Sequence, residues 1–200
     1  MTRSADATHL APWLSAVAAK TATPGGGNVA AVMGAQATAL ISMVCQFTHD
    51  HQKNTALLHN LDQIRKDFLN LAEADSVAFK QLMLSYRMDK ADPLREANLQ
   101  DAITKAALVP LQTYELAAKA GDLLITIEPL SNPNLRSDTA MAGAILNATL
   151  TSAEINVLVN LKSINDKAVK NDIESRLTAH EELSTSLSRL TNALVQKIAT

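Results

Sequence analysis

Two residues stand where a buried helical face should carry only apolar side chains. From Asn54 to Met88, Leu57, Leu61, Ile64, Phe68, Leu71, Ala78 and Leu82 advance by threes and fours or their sums, and Asp75 and Tyr86 fall on the same seam. A carboxylate on an apolar face is costly unless something satisfies it. Asp75 is therefore read either as part of a site or as one half of an ion pair with a neighbouring helix. Tyr86 is cheaper to bury, because its hydroxyl can reach water. Eleven helical residues separate the two by about 16 Å, too far to act on one atom but compatible with one elongated groove.

Two further stretches carry groups suited to binding. Thr23-Pro24-Gly25-Gly26-Gly27-Asn28 lies near the start of a run without Asp, Glu, Lys or Arg that lasts from Thr21 to His49. Thr23 is a suitable cap and Pro24 suits a first helical turn. Three glycines there leave backbone N–H groups uncovered at a helix start, which attracts anions. The same glycines equally suit a turn and tight helix packing. No Gly-Lys-Ser/Thr follows, and the spacing is not that of a dinucleotide fingerprint. The second stretch is the helix expected from Thr139 to Lys162, charged only at Glu154 and Lys162. Along it Thr149, Ser152, Asn156 and Asn160 recur by threes and fours, either as interhelical hydrogen bonds or as the floor of a pocket for a polar ring.

The elements that must position these groups are helices. Aromatic residues make up 3% of the 200, and no strand-like alternation is sustained. The pattern predicts a short amphipathic helix from His9 to Lys20, an apolar helix from Val29 to Gln46, and a turn around residues 48–52. The long helix from Asn54 to Met88 follows, then one from Leu94 to Ala120, bent or broken before Pro110 and ended by Gly121. A polar loop, residues 131–138, leads into the next helix with Ser137 as its cap and Asp138 in its first turn. Residues 166–200 are amphipathic again, with His180 near the stripe. The expected fold is all-α, one domain over residues 1–200, a helical bundle around the buried apolar helix.

Composition narrows the function. A net charge of −2 and the absence of a basic cluster argue against nucleic acid. The apolar run is too short and interrupted for a clear membrane span. The single cysteine, Cys45, excludes a disulfide framework within the chain. His49 and His51 have the wrong spacing for one helical face and no His-Glu-x-x-His occurs, so no metal site is expected. Without an apolar leader at Met1, the chain reads as cytoplasmic. These residues describe a helical protein for a polar or anionic small molecule.

The motifs also carry a resemblance. Thr23-Pro24-Gly25-Gly26-Gly27-Asn28-Val29-Ala30-Ala31 resembles the signature of the cyclodeaminase/cyclohydrolase family, in which serine usually stands at the place of Asn28. The likeness continues through Asp75-Ser76-Val77-Ala78-Phe79, Val109-Pro110-Leu111, Asn132-Pro133-Asn134, Ser137-Asp138 and Asn156-Val157 to Asn160-Leu161-Lys162. Ser131 replaces a common glycine, and residues 49–53 replace a more basic stretch. The resemblance implies an all-helical homodimer acting on tetrahydrofolate derivatives without a metal or other cofactor. It implies hydrolysis of 5,10-methenyltetrahydrofolate to 10-formyltetrahydrofolate, or alternatively cyclodeamination of 5-formiminotetrahydrofolate with release of ammonia. A non-catalytic folate-binding or interaction protein is the third reading. On this resemblance Asp75 is the candidate proton relay and Asp138 the second. Asn132, Asn134, Asn156 and Asn160 would contact the pterin, with Ser137, Tyr86 and the Thr23–Asn28 loop completing the binding groups.

Overall fold

The computed structural model describes residues 7–48 and 51–199; the side chains of residues 7–9 and 51–54 are not described. It is all-helical over these residues: α1 (Ala7–Ala18), α2 (Gly26–Gln46), α3 (His51–Arg87), α4 (Arg95–Ile127), α5 (Arg136–Leu161), α6 (Lys167–Thr178) and α7 (Glu181–Ala199). Two 3₁₀ turns, Glu128–Leu130 and Pro133–Leu135, join α4 to α5. The turn expected around residues 48–52 lies partly outside the described residues.

Helices α2 to α5 form a four-membered ring in which each packs against its sequence neighbours and α5 closes back onto α2. Short connections between long helices favour this alternating up-and-down order. Helix α7 covers α5, and α6 lies on α4. Phe68, Ile41, Leu61, Ile64, Leu111, Leu124, Leu146 and Leu150 fill the centre, almost fully removed from water. Gly34 lets α2 and α3 approach, since a Cβ there would stand 2.3 Å from the Phe68 ring. Helix α2 buries Ala30, Ala31, Ala37, Ile41 and Val44 on its inner side. The expectation that this run is too short for a membrane span is corrected: its 21 residues, with mean hydropathy 1.5, would be long and apolar enough to cross one, as would Pro133–Leu161. Here α2 packs between α3 and α5.

Helix α4 has no break at Pro110 and corrects the stop expected at Gly121, running on to Ile127. The carbonyl that Pro110 leaves without a helical donor belongs to Ala106, and it accepts a hydrogen bond from Asn160 Nδ2 at 3.1 Å. Gly121 is a contact point: an added Cβ would lie 3.2 Å from methyls of Leu183 and Leu187 on α7. The C-terminal amphipathic stretch is two helices, broken at Ala179 and His180. Asp166 caps α6 by accepting from the N–H groups of Ala168 and Val169. Across that break the His180 ring faces Tyr114, with centroids 6.1 Å apart.

Candidate active site

Helix α2 begins without a side-chain cap of its own. Its N-cap residue is Gly25, in extended backbone (φ −128°, ψ −161°). Thr23, expected to cap, and Pro24, expected in the first turn, both precede the helix and are joined by a cis peptide bond. The covering group comes from α3. The carboxylate of Asp75 lies against the first turn of α2, so close that a Cβ on Gly27 would stand 2.1 Å from Oδ1. Gly25 and Gly26 are different, because their nearest atoms would be 3.7 and 3.5 Å away. None of the three has a positive φ. Space for the Asp75 carboxylate, not backbone freedom, is what Gly27 supplies.

Asp75 is half-buried. Burial pushes its carboxyl above the ordinary value, and the Asn28 backbone N–H draws it partway back. No Lys, Arg or His pairs with it among the described residues. The ion pair that would have made it merely structural is therefore not formed there.

Beside the carboxylate opens a cavity of about 220 Å³. Thr23, Gly25, Gly26 and Gly27 edge it on one side, and Asp75, Ala78 and Phe79 of α3 form the next wall. Ala106 and Pro110 of α4 and Asn156, Val159 and Asn160 of α5 close it. Asn156 donates from Nδ2 to the Ser152 carbonyl at 2.7 Å. Asn160 donates to the carbonyls of Asn156 at 3.0 Å and Ala106 at 3.1 Å. Past Ala22, Thr23 and Phe79 the surface continues as a groove over Met83 and Leu84, with Lys80 and Arg87 on α3 at its side. A cavity lined by one carboxylate and two amides among apolar side chains thus adjoins a more open apolar run flanked by cations.

Of the residues singled out in the sequence, the cavity brings together Asp75, Thr23, the three glycines, Asn156 and Asn160. Pro24 lies within the same loop. Asn28 points elsewhere: its Oδ1 accepts from Trp13 Nε1 at 3.0 Å and its Nδ2 donates to the Ala72 carbonyl at 2.6 Å. It ties α1 and α3 to α2, so it is placed as a fastening and not as a cavity wall. Tyr86 is 45% exposed and lines neither the cavity nor the groove.

Asn132, Asn134, Ser137 and Asp138 stand at the far end of the bundle. Asn132 bonds there to Phe47 and Thr48, donating from Nδ2 to the Phe47 carbonyl at 3.2 Å and from its backbone to Thr48 Oγ1 at 3.3 Å. That end lies about 30 Å from the glycines, the length of α2. Asn132 Oδ1 also accepts from the Asn134 N–H at 3.0 Å, capping a 3₁₀ turn. Ser137 is already inside α5, whose N-cap residue is Leu135 with no side-chain cap; Asp138 is in the first turn, as expected. Phe79, Ala106 and Pro110 were not anticipated in the site. Phe79 was within reach, since it follows Asp75 by one helical turn.

Fold and cavity together define an all-α protein in which a half-buried carboxylate and two hydrogen-bonded amides line one cavity. Residues 9–179 match the formiminotransferase-cyclodeaminase family, and the chain belongs to that family. It is 30% identical over 197 residues to a methenyltetrahydrofolate cyclohydrolase from Methylorubrum extorquens, covering 93% of each chain. It is 30% identical over 183 residues to the formimidoyltransferase-cyclodeaminase of Mus musculus, covering 86% of this chain but 34% of that longer one. Among solved structures, the formiminotetrahydrofolate cyclodeaminase of Thermotoga maritima superimposes with a TM-score of 0.87 at 27% identity, covering 96% of this chain and 97% of that one.

Proposed function

We propose that the chain is a methenyltetrahydrofolate cyclohydrolase, with Asp75 as its proton relay. The observation that carries this reading is the half-buried carboxylate, without a cationic partner among the described residues, held over Gly27 at the wall of the cavity that Asn156 and Asn160 also line. The substrate ring is an amidinium cation, which a buried carboxylate attracts. Water adds to the methenyl carbon, forming a C–O bond, and Asp75 accepts a proton from it. Asp75 then returns that proton to N5 as the C–N5 bond breaks. The hydroxyl proton leaves to solvent as the formyl C=O forms on N10. The reactants are the cation and water; the products are 10-formyltetrahydrofolate and one proton. The folate's aromatic tail would lie along Met83 and Leu84, with its carboxylates near Lys80 and Arg87.

The likeness to the Thermotoga maritima enzyme supports a second reading at the same site, cyclodeamination of 5-formiminotetrahydrofolate. There N10 adds to the carbon of the protonated formimino group, Asp75 carries the N10 proton to the exocyclic nitrogen, and the bond from the carbon to that nitrogen breaks, giving ammonia and the 5,10-methenyl cation.

We further propose that the active form is a homodimer. Helices α2 and α5 turn an almost uncharged outer face to solvent: Gln36 on α2 and Phe47 just past its end, and Met141, Ala144, Ala148, Ile155 and Val159 on α5. Met141, Ile155 and Val159 are each more than half exposed, a costly arrangement unless another apolar surface covers them. A second copy packed antiparallel across this face would bring its residues 131–138 toward the glycine end. That pairing supplies the Asn132, Asn134 and Asp138 side chains that the single chain holds at a distance.

The test is to supply 5,10-methenyltetrahydrofolate at neutral pH and follow its near-ultraviolet absorbance against the uncatalysed rate. Enzyme-dependent loss yielding 10-formyltetrahydrofolate supports the cyclohydrolase. No acceleration, with ammonia released from 5-formiminotetrahydrofolate, overturns it in favour of the second reading. Inactivity on both leaves a non-catalytic folate-binding protein.

A further inference from the structure

We propose that Pro110 is a positioning residue whose missing N–H fixes Asn160 as a hydrogen-bond acceptor toward the ligand. The inference rests on the folate reading for the ligand's identity, but its geometry stands without it. In an unbroken helix the N–H of residue 110 would bond to the carbonyl of Ala106. Proline has no N–H, and its ring pushes that carbonyl out of line. The exposed acceptor is taken by Asn160 Nδ2 at 3.1 Å, across from α5 to α4. The other hydrogen on the same nitrogen goes to the Asn156 carbonyl at 3.0 Å. Both partners are carbonyl oxygens, which can only accept, so the orientation of the amide is settled by its bonds.

With both N–H groups engaged, Asn160 has only Oδ1 left to offer. Asn160, Ala106 and Pro110 all border the cavity, as does the Asp75 carboxylate. The cavity therefore pairs a carboxylate with a fixed neutral acceptor. That pair selects a ligand presenting cationic character at one place and an N–H donor at another. A reduced pterin's amino-pyrimidine edge has such donors. An unconstrained asparagine could turn its NH₂ to the cavity instead, and would accept ligands carrying acceptors there. Pro110 removes that freedom by giving the NH₂ a better partner.

The experiment compares wild type with Pro110→Ala, which restores the backbone donor for Ala106. Two readouts are used. The first, independent of turnover, is the ¹⁵N spectrum and hydrogen exchange of the Asn160 side-chain amide, assigned by its loss in Asn160→Asp. Exchange should be slow in wild type and at least several-fold faster in Pro110→Ala, with the thermal midpoint unchanged or raised. The second is steady-state kinetics with 5,10-methenyltetrahydrofolate. KM should rise about three- to tenfold with kcat nearly unchanged, as expected for losing one oriented hydrogen bond used in binding. A proline serving only the fold would instead lower the thermal midpoint and leave KM alone. Unchanged amide exchange in Pro110→Ala overturns the proposal, whatever the activity. If wild type turns over neither folate substrate, the functional reading fails while the exchange result still decides this one.

Discussion

Replacing Gly27 by alanine should disable the site while leaving the bundle folded. The added Cβ would stand 2.1 Å from Asp75 Oδ1, 2.6 Å from its Cγ and 3.0 Å from Oδ2. Ordinary contact at 3.4 Å requires the nearest oxygen to retreat by about 1.3 Å. The carboxylate ends a short side chain on the surface of α3, so it can yield by rotating, and the backbone need not move. Alanine also favours a helical position over glycine by up to about 1 kcal/mol, which offsets part of the strain. The fold should therefore survive with its thermal midpoint changed by only a few degrees. Catalysis should not, because a misplacement of about 1 Å in a catalytic group costs on the order of a hundredfold. Gly26→Ala is the comparison: its Cβ meets the Asn156 amide at an ordinary 3.5 Å and leaves the Asp75 carboxylate in place, so any loss there should appear in KM and not in kcat. Circular dichroism and the absorbance assay on the two variants decide the matter. Gly27→Ala with wild-type kcat would refute the placement of Asp75 as the reacting group.

Asp75→Asn should lower kcat by about a hundredfold or more, the usual contribution of a general acid–base; a loss below threefold on the absorbance assay would reject the role. The same variant tests the burial of the carboxyl. Its folded pKa is raised above 3.8, so wild type loses stability as pH rises through the folded value, and the amide avoids that loss. Asp75→Asn should thus melt higher than wild type at pH 7 and converge with it towards pH 4, in a series of thermal melts. Cys45, whose thiol is pushed up to about 11 by burial, should resist a thiol reagent at pH 8 until denaturant is added. Ile155→Asp, in the middle of the exposed α5 face, should halve the mass measured by light scattering; a wild-type mass of 21.4 kDa would refute the dimer instead. Mixing inactive Asp75→Asn and Asp138→Asn chains after mild dissociation should restore about a quarter of wild-type activity if each site draws on both copies, because half the dimers would hold one intact site. No recovery would remove Asp138 from the site.

The helices were legible because their apolar periodicity is long and strong. The seam from Leu57 to Leu82 predicted α3 almost to its ends, and it marked Asp75 as the residue that did not belong. What local pattern could not supply was partners from elsewhere in the chain. Pro110 reads as a break because its lost hydrogen bond is visible in sequence, whereas its replacement, Asn160, comes from another helix. Gly121 reads as a stop because glycine commonly ends helices, yet here it makes room for Leu183 and Leu187. Thr23 and Ser137 are good caps by type, but the chain enters α2 and α5 elsewhere, at Gly25 and Leu135. The distance between the glycine loop and residues 131–138 was available by counting. In an up-and-down ring the second and fifth helices run in opposite directions, so their starts lie at opposite ends.

The departure at Asn28 takes its meaning from the same geometry. Serine at that position would offer one short hydroxyl, whereas asparagine offers an acceptor and a donor on a longer arm. Both are used: Oδ1 holds Trp13 and Nδ2 reaches the Ala72 carbonyl, one turn before Asp75 on α3. The bond to Ala72 clamps α3 against the first turn of α2, where Gly27 admits the carboxylate. The bond to Trp13 attaches α1, whose Leu10 and Leu14 are 45% and 50% exposed and bring little packing of their own. Asn28 thus acts on the site through the approach of two helices, and its loss should be felt in the position of Asp75 before it is felt in the core.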